Sequence, residues 1–234
     1  KIKIRNIMYT GPHIVTKDLG LAFDFTSPRC WAADSTTVYD LTTNGNNATV
    51  NGSPAMQDTG TPVQNMYFDG SNDYLQIAAN QTSLWFNDGQ TIGMWVYHTI
   101  NSGRRNFWDQ AYGGSGTMTH EQGGGISYYY GSNGANGGSY RGFGSSAIPG
   151  NTWAYFAVSR YPGGAKWYIN GINTQTTTDS YTPMATNTTA NIRIGYGYTG
   201  VYLKANIAVI HAYTRGLSDS EVLQNYNSLK GRFI

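Results

Sequence analysis

The sequence predicts an all-β fold, an antiparallel two-sheet sandwich with a short C-terminal helix. Three observations carry that prediction. Roughly ten to twelve strand-like runs are separated by Gly-, Asn- and Pro-rich turns about every dozen residues. The chain is 14% aromatic and only 12% charged, with 30 Gly and 19 Tyr, against ~25% charged residues in an average globular protein. Residues 205–226, ANIAVIHAYTRGLSDSEVLQNY, read as a strand apolar on both faces followed at once by a helix start. No linker divides the 234 residues, so the chain reads as one sandwich over residues 20–234 preceded by an arm or edge strand over residues 1–19.

In order along the chain, residues 1–8 (KIKIRNIM) alternate charged and apolar side chains over the first five. They are too apolar for a solvated tail, which predicts pairing as an edge strand or lying across a neighbouring subunit. Residues 20–25 place Leu21, Phe23 and Phe25 at period two, and Pro28 ends that strand. Residues 40–51 are loop chemistry around Asn44-Gly45, then a short strand through Thr49 and Val50. Residues 66–77 hold two short strands around a DGSND turn, Asp69 to Asp73, and Leu84-Trp85-Phe86 forms an apolar knot. Residues 91–98 put Ile92, Met94 and Val96 on one face with Trp95 and Tyr97 on the other, which predicts a central strand.

From residue 113 to 144 twelve of thirty-two positions are Gly. Strands are expected at 125–130 and 139–144, joined by a tip at 131–138. Residues 153–161 form the next strand, and 165–174 a hairpin whose Asn170-Gly171 pair suits a type I′ turn. Residues 192–194 lead into the closing strand. Ser218 and Glu221 match a capping box, and Leu217 with Val222 a hydrophobic staple. Val222, Leu223, Tyr226 and Leu229 fall at helical spacing, so the helix should dock by that side as a clasp rather than as part of the core.

The net charge of +2 is spread without a basic run, which leaves little attraction for nucleic acid or an anionic membrane. No apolar run approaches the ~18 residues of a membrane span, and residues 1–10 lack a signal-peptide core. Cys30 is alone, cannot close an internal disulfide, and beside Trp31 reads as a small buried hydrophobe. Of the four His, His98 and His211 lie in apolar strands as core groups, and none has metal-ligand spacing with His13 or His120. Glycoside hydrolysis needs two carboxylates about 5 to 10 Å apart. The two Glu are Glu121, in a Gly-rich loop, and Glu221, in the capping box. No Ser elbow and no phosphate loop is present either, so no catalysis and no organic cofactor is expected.

Trp108, Tyr112, Tyr129, Tyr140 and Arg141 are the candidates for carbohydrate binding or a protein interface. Aromatic side chains beside Asn, Gly and Arg stack on sugar rings or anchor protein contacts. In the strand at 125–130, Ile126 facing inward takes Tyr128 and Tyr130 with it and leaves Ser127 and Tyr129 outward. Asp69 and Asp73 are the close acidic pair, best explained by the tight turn, with a calcium ion as the alternative reading.

Four landmarks in order carry a family resemblance. They are GLAFDF with Asp40-Leu41 and Gly45-Asn46-Asn47, FDGSNDYLQI from Phe68, WYING from Trp167, and the closing IAVIHAYTRGLSDSEVLQNYN. Together, from residue 20 to 227, they resemble the laminin-G-like branch of the concanavalin A-like lectin/glucanase superfamily. The resemblance implies a jelly roll of two curved sheets with the helix beside its rim, and a rim calcium site would fall on Asp69 and Asp73. The superfamily's hydrolytic E-x-D-x-E pattern is absent. The N-terminal half together with the ending NYNSLKGRF is also similar to modules of tailed-phage virion proteins on capsids or tail fibres. That similarity implies a non-catalytic structural module of the virion whose partners are other virion proteins or its own copies, as a homo-oligomer or lattice contact, with glycans as further partners. The alternative is a carbohydrate-binding, lectin-like module of an extracellular protein.

Overall fold

The computed structural model describes residues 12–58, 64–86, 89–99, 103–110, 116–121, 124–131, 140–178, 190–197 and 200–234. Its strands form two antiparallel sheets, a jelly-roll sandwich with one α-helix, α1 (Asp219–Leu229). Sheet A runs β14 (Ile172–Thr177), β13 (Gly164–Ile169), β12 (Trp153–Tyr161), β7 (Gln90–Tyr97), β16 (Lys204–Tyr213), β5 (Gln64–Asp69) and β4 (Ala55–Asp58). β16 is long enough to pair twice along one side, with β5 through Ile207 and with β1 (Leu19–Asp24) from Val209 to Tyr213. Sheet B runs β11 (Tyr140–Ala147), β10 (Gly125–Gly131), β9 (Thr117–His120), β8 (Arg105–Asp109), β15 (Ile192–Ile194), β6 (Tyr74–Ile77), β3 (Ala48–Asn51) and β2 (Thr37–Val38).

The main core lies between the sheets and follows from period two. Leu21, Phe23 and Phe25 from β1 and the residues after it, Ile92, Met94 and Val96 from β7, and Ile126, Tyr128 and Tyr130 from β10 all point into it and are at most 1% exposed. β7 is central, between β12 and β16, and is buried along its length up to Val96. The Asn170-Gly171 turn has φ of 50° and 79°, the paired positive values of a type I′ hairpin. Cys30 is buried, and burial pushes its thiol up to about 12.

A second core covers the opposite face of sheet A. Trp95, Tyr155, Tyr168, Val209 and Tyr213 form its floor, and Val222, Leu217 and Phe233 close it. Trp95 stacks on Phe233 at 4.3 Å and on Tyr226 at 5.6 Å between ring centroids. An isolated helix of eleven residues is marginal in water. Burial of its inner face, about 1.5 to 3 kcal/mol for each large apolar side chain, is what holds it. Ser218 and Glu221 make the capping box: the Ser218 hydroxyl accepts from the Glu221 N–H at 3.4 Å, and the Ser218 N–H donates to Glu221 Oε2 at 2.9 Å. Leu217 and Val222 are both buried, as a staple requires.

Four expectations need correction or refinement. Leu223 is 42% exposed, and the docking face instead uses Val222, Asn225 and Ser228 with Tyr226 and Leu229. α1 is not a clasp beside the rim; it lies over the outer face of sheet A and completes a core. The described residues hold sixteen strands rather than ten to twelve, because β2, β4 and β9 are too short to show a period and a register shift breaks the period of β8. The DGSND turn does not close a hairpin, since β5 belongs to sheet A and β6 to sheet B. Residues 1–8, Tyr112 and most of the tip at 131–138 lie outside the described residues.

Candidate functional site

α1 covers the outer face of sheet A around Trp95, and the outer face of sheet B carries the side chains of the opposite surface. Alternation fixes what it displays. From β10 to β2, Tyr129, Thr117, Asp109, Arg193, Gln76, Thr49 and Thr37 stand as successive cross-strand partners on that face. A second short row pairs Ser127, Thr119 and Asn106. The Thr117 hydroxyl donates to Asp109 Oδ1 at 2.9 Å, and the Asn106 amide to Thr119 Oγ1 at 3.1 Å. These strands therefore supply a polar layer held by its own hydrogen bonds, and Asn106, Asp109, Thr117 and Thr119 in it are buried, at most 7% exposed.

The connection from β15 to β16 lies against this layer. A Cβ on Gly197 would come within 2.6 Å of Asp109, so only glycine allows the backbone so close. Arg105 Nη1 donates to the Tyr202 carbonyl at 2.6 Å and ties the same connection to β8. The result is a tyrosine cluster: Tyr196 and Tyr202 stack at 4.5 Å, and Tyr74 from β6 lies 5.4 Å from Tyr196. The Arg193 guanidinium sits 5.7 Å from the Tyr196 ring centre. All three rings are half-buried. Further along the face, Tyr129 donates to Glu121 Oε1 at 2.8 Å while Arg104 holds Glu121 Oε2 at 3.0 Å. Burial first, and then the Glu121 carboxylate, push the Tyr129 phenol up, so it is a hydrogen-bonding neutral group.

Such a face offers π surfaces beside donors and acceptors of both kinds, the requirement for holding a sugar or a polar protein surface. The sequence of the central and C-terminal strands is what places it there. A profile of the concanavalin A-like lectin/glucanases superfamily, laminin G type, matches residues 69–223. The chain belongs to that superfamily. No curated protein matches the sequence. Among solved structures, the binding domain of botulinum neurotoxin DC in complex with rat synaptotagmin II is similar at a TM-score of 0.71 and 14% identity, covering 92% of this chain and 52% of that one. A botulinum neurotoxin type C structure, from work on cell entry dependent upon two ganglioside molecules, gives 0.67 and 16%, covering 91% and 52%. The binding domain of Paraclostridial Mosquitocidal Protein 1 gives 0.67 and 15%, covering 91% and 52%. This superfamily member thus spans about half the length of those chains and shares their fold.

The superfamily includes glucanases, and several carboxylates among the described residues are committed to other partners. Asp24 pairs with Arg232, Glu221 with Arg215, Asp219 with Lys166 and Glu121 with Arg104. Asp40 accepts from the N–H groups of Ala22, Thr42 and Asn46. A general acid needs a carboxyl kept protonated near its substrate. Arg215 holds Glu221 down at about 2, and Lys166 with Tyr168 holds Asp219 below the usual range. Among the described residues Asp73 is a carboxyl raised by burial, and it is tied into a turn.

That turn also fails the test for calcium. Asp73 Oδ1 accepts from the Ser53 N–H at 2.8 Å, Asp73 Oδ2 from the Asp69 N–H at 3.0 Å, and Asp69 Oδ1 from the Ser71 N–H at 2.7 Å. Six to eight oxygens are needed for Ca²⁺. Among the described residues no third acidic, His or Cys group joins the pair. The two carboxylates carry the chain from one sheet to the other.

Of the sequence-predicted residues, Tyr129 lies on the face as expected. Trp108 does not: a register shift between Asn106 and Trp108 turns both Phe107 and Trp108 into the core, where Trp108 meets Phe86 edge-on at 6.3 Å. Tyr140 and Arg141 lie on β11 opposite Gly131 and Tyr130. Tyr74, Arg193, Tyr196 and Tyr202 were missed. The interleaved Tyr and Gly of IGYGYTGVY, and Tyr74 and Gln76 alternating with Leu75 and Ile77, were the available signals.

Proposed function

We propose that this chain is a non-catalytic recognition module that holds a glycan on the outer face of sheet B, and that it does so as part of a virion structural protein. One observation carries the binding role. α1 and its aromatic core cover the outer face of sheet A around Trp95, while the outer face of sheet B presents the half-buried Tyr74–Tyr196–Tyr202 cluster next to Arg193, beside a buried layer of hydrogen-bonded polar groups. Solved neighbours of the same fold are described with gangliosides and with synaptotagmin II, which supports glycan and protein partners for a module of this fold. The low charge and the ending NYNSLKGRF support the virion setting, with other virion proteins or its own copies as structural partners.

A glycan array that includes bacterial surface polysaccharides tests the binding role. Wild type should bind a defined subset, and Tyr202→Ala should weaken that binding about tenfold, the loss of one aromatic anchor, with the melting temperature little changed. An array without any bound glycan, or one that Tyr202→Ala leaves unaltered, contradicts it. The virion setting is tested by quantifying the chain in purified particles. A fixed copy number per particle is expected, and absence from particles sinks that setting while leaving the array result standing.

A further inference from the structure

A cleft lies on the opposite sheet. Where β1 ends beside β16, an open cleft of about 810 Å³ runs between the segment 12–16, the loop after Asp40 and the end of α1. This volume is in the range of small-molecule sites, about 300 to 1,000 Å³. Its floor is Ala22, Asp24 and His211, cross-strand neighbours on the outer face of sheet A. His211 is 4% exposed, and its Nδ1 is sealed from solvent without a hydrogen-bond partner. Nε2 is therefore the ring atom left to meet a ligand. Burial pushes this imidazole down to about 4, so the ring is neutral at ordinary pH.

The charges on the cleft cancel. Arg232 binds both oxygens of Asp24, at 2.8 and 2.9 Å, and also Thr26. An anion entering here would meet a guanidinium already spent on a carboxylate, and a cation would meet a carboxylate already neutralised. Leu19, Leu41 and Leu229 supply an aliphatic strip of the wall, and the uncharged polar groups of Thr16, Thr42, Thr43, Asn44 and Ser228, with His13, supply much of the rest. Among the described residues no aromatic ring of Phe, Tyr or Trp lines it, so the stacking proposed for sugars on sheet B is missing there.

We propose that this cleft binds an uncharged amphipathic small molecule, with one hydroxyl or carbonyl head at His211 and an aliphatic body along Leu19, Leu41 and Leu229. The site is separate from the glycan face and does not rest on it. Calorimetric titration of the full chain with 1-octanol, octanoate and octylammonium tests it. Octanol should bind at least about tenfold more tightly than either charged analogue, the equivalent of one buried, uncompensated charge at the low end. Thr43→Trp, an exposed position at the mouth, should abolish octanol binding without altering array binding, and His211→Phe should weaken it with the fold retained. Octanoate or octylammonium binding as tightly as octanol, octanol binding unchanged in Thr43→Trp, or no binding of octanol by wild type would each overturn the proposal.

Discussion

His211 and Asn225 show how single buried polar groups set the behaviour of this fold. An unfolded chain protonates His211 below about pH 6.5, whereas the folded chain resists until about 4. Between those values the unfolded state binds more protons, so stability is full above pH 6.5 and is lost as pH falls toward 4. The shift corresponds to about 3 kcal/mol. Burial also lowers His120, in the same direction. Denaturant unfolding at several pH values should therefore show a wild-type decline across this window that His211→Phe flattens substantially but not fully; an equal decline in both would place the effect elsewhere. Asn225 is fully buried, accepts from the Val15 N–H at 2.8 Å and donates to the Tyr213 hydroxyl at 3.0 Å, which in turn donates to the Val15 carbonyl. Asn225→Leu strands the Val15 N–H, at a cost of about 1 to 3 kcal/mol. That loss should appear as a lowered denaturation midpoint with an unchanged slope.

At the scale of elements, α1 combines what was legible with what was not. The capping box and the staple are local patterns, and both are present as the spacing of Leu217, Ser218, Glu221 and Val222 requires. Its buried face was misread because Asn225 and Ser228 look polar in sequence, yet they are satisfied internally: the Ser228 hydroxyl donates to the Asn225 carbonyl at 2.7 Å. The ending NYNSLKGRF carries much of this packing, with Asn225 on Val15, Arg232 on Asp24 and Phe233 stacked on Trp95. That ending thus has a folding role beside any functional one. Ser218→Ala removes the cap oxygen and should cost about 0.5 to 2 kcal/mol. Leu217→Ser should cost more by exposing the second core, and the pair should be non-additive because both act on one helix terminus. Thermal melts of the two single variants and the double variant check this, with sheet circular dichroism retained at room temperature; simple additivity would show that cap and staple act independently.

For the whole molecule, the long strands and the inside-outside order of β10 were legible because period two is a local signal. The assignment of strands to sheets was not, since β5 and β6 adjoin in sequence yet sit in different sheets. The recognition face was half legible for the same reason. Tyr129 follows from alternation within one strand, whereas Tyr74, Arg193 and Tyr202 meet only after β6, β15 and the following connection are brought together by pairing. Trp108 was lost to a register shift that no periodicity announces. The central claim is that one face of the sandwich is closed by α1 and the other recognises a glycan. Titrating the isotope-labelled chain with the strongest array glycan, and mapping amide chemical shifts, tests it most directly. The account predicts shifts centred on Tyr74, Arg193, Tyr196 and Tyr202 with α1 silent; shifts centred on α1 or on the Asp24–His211 cleft would contradict it.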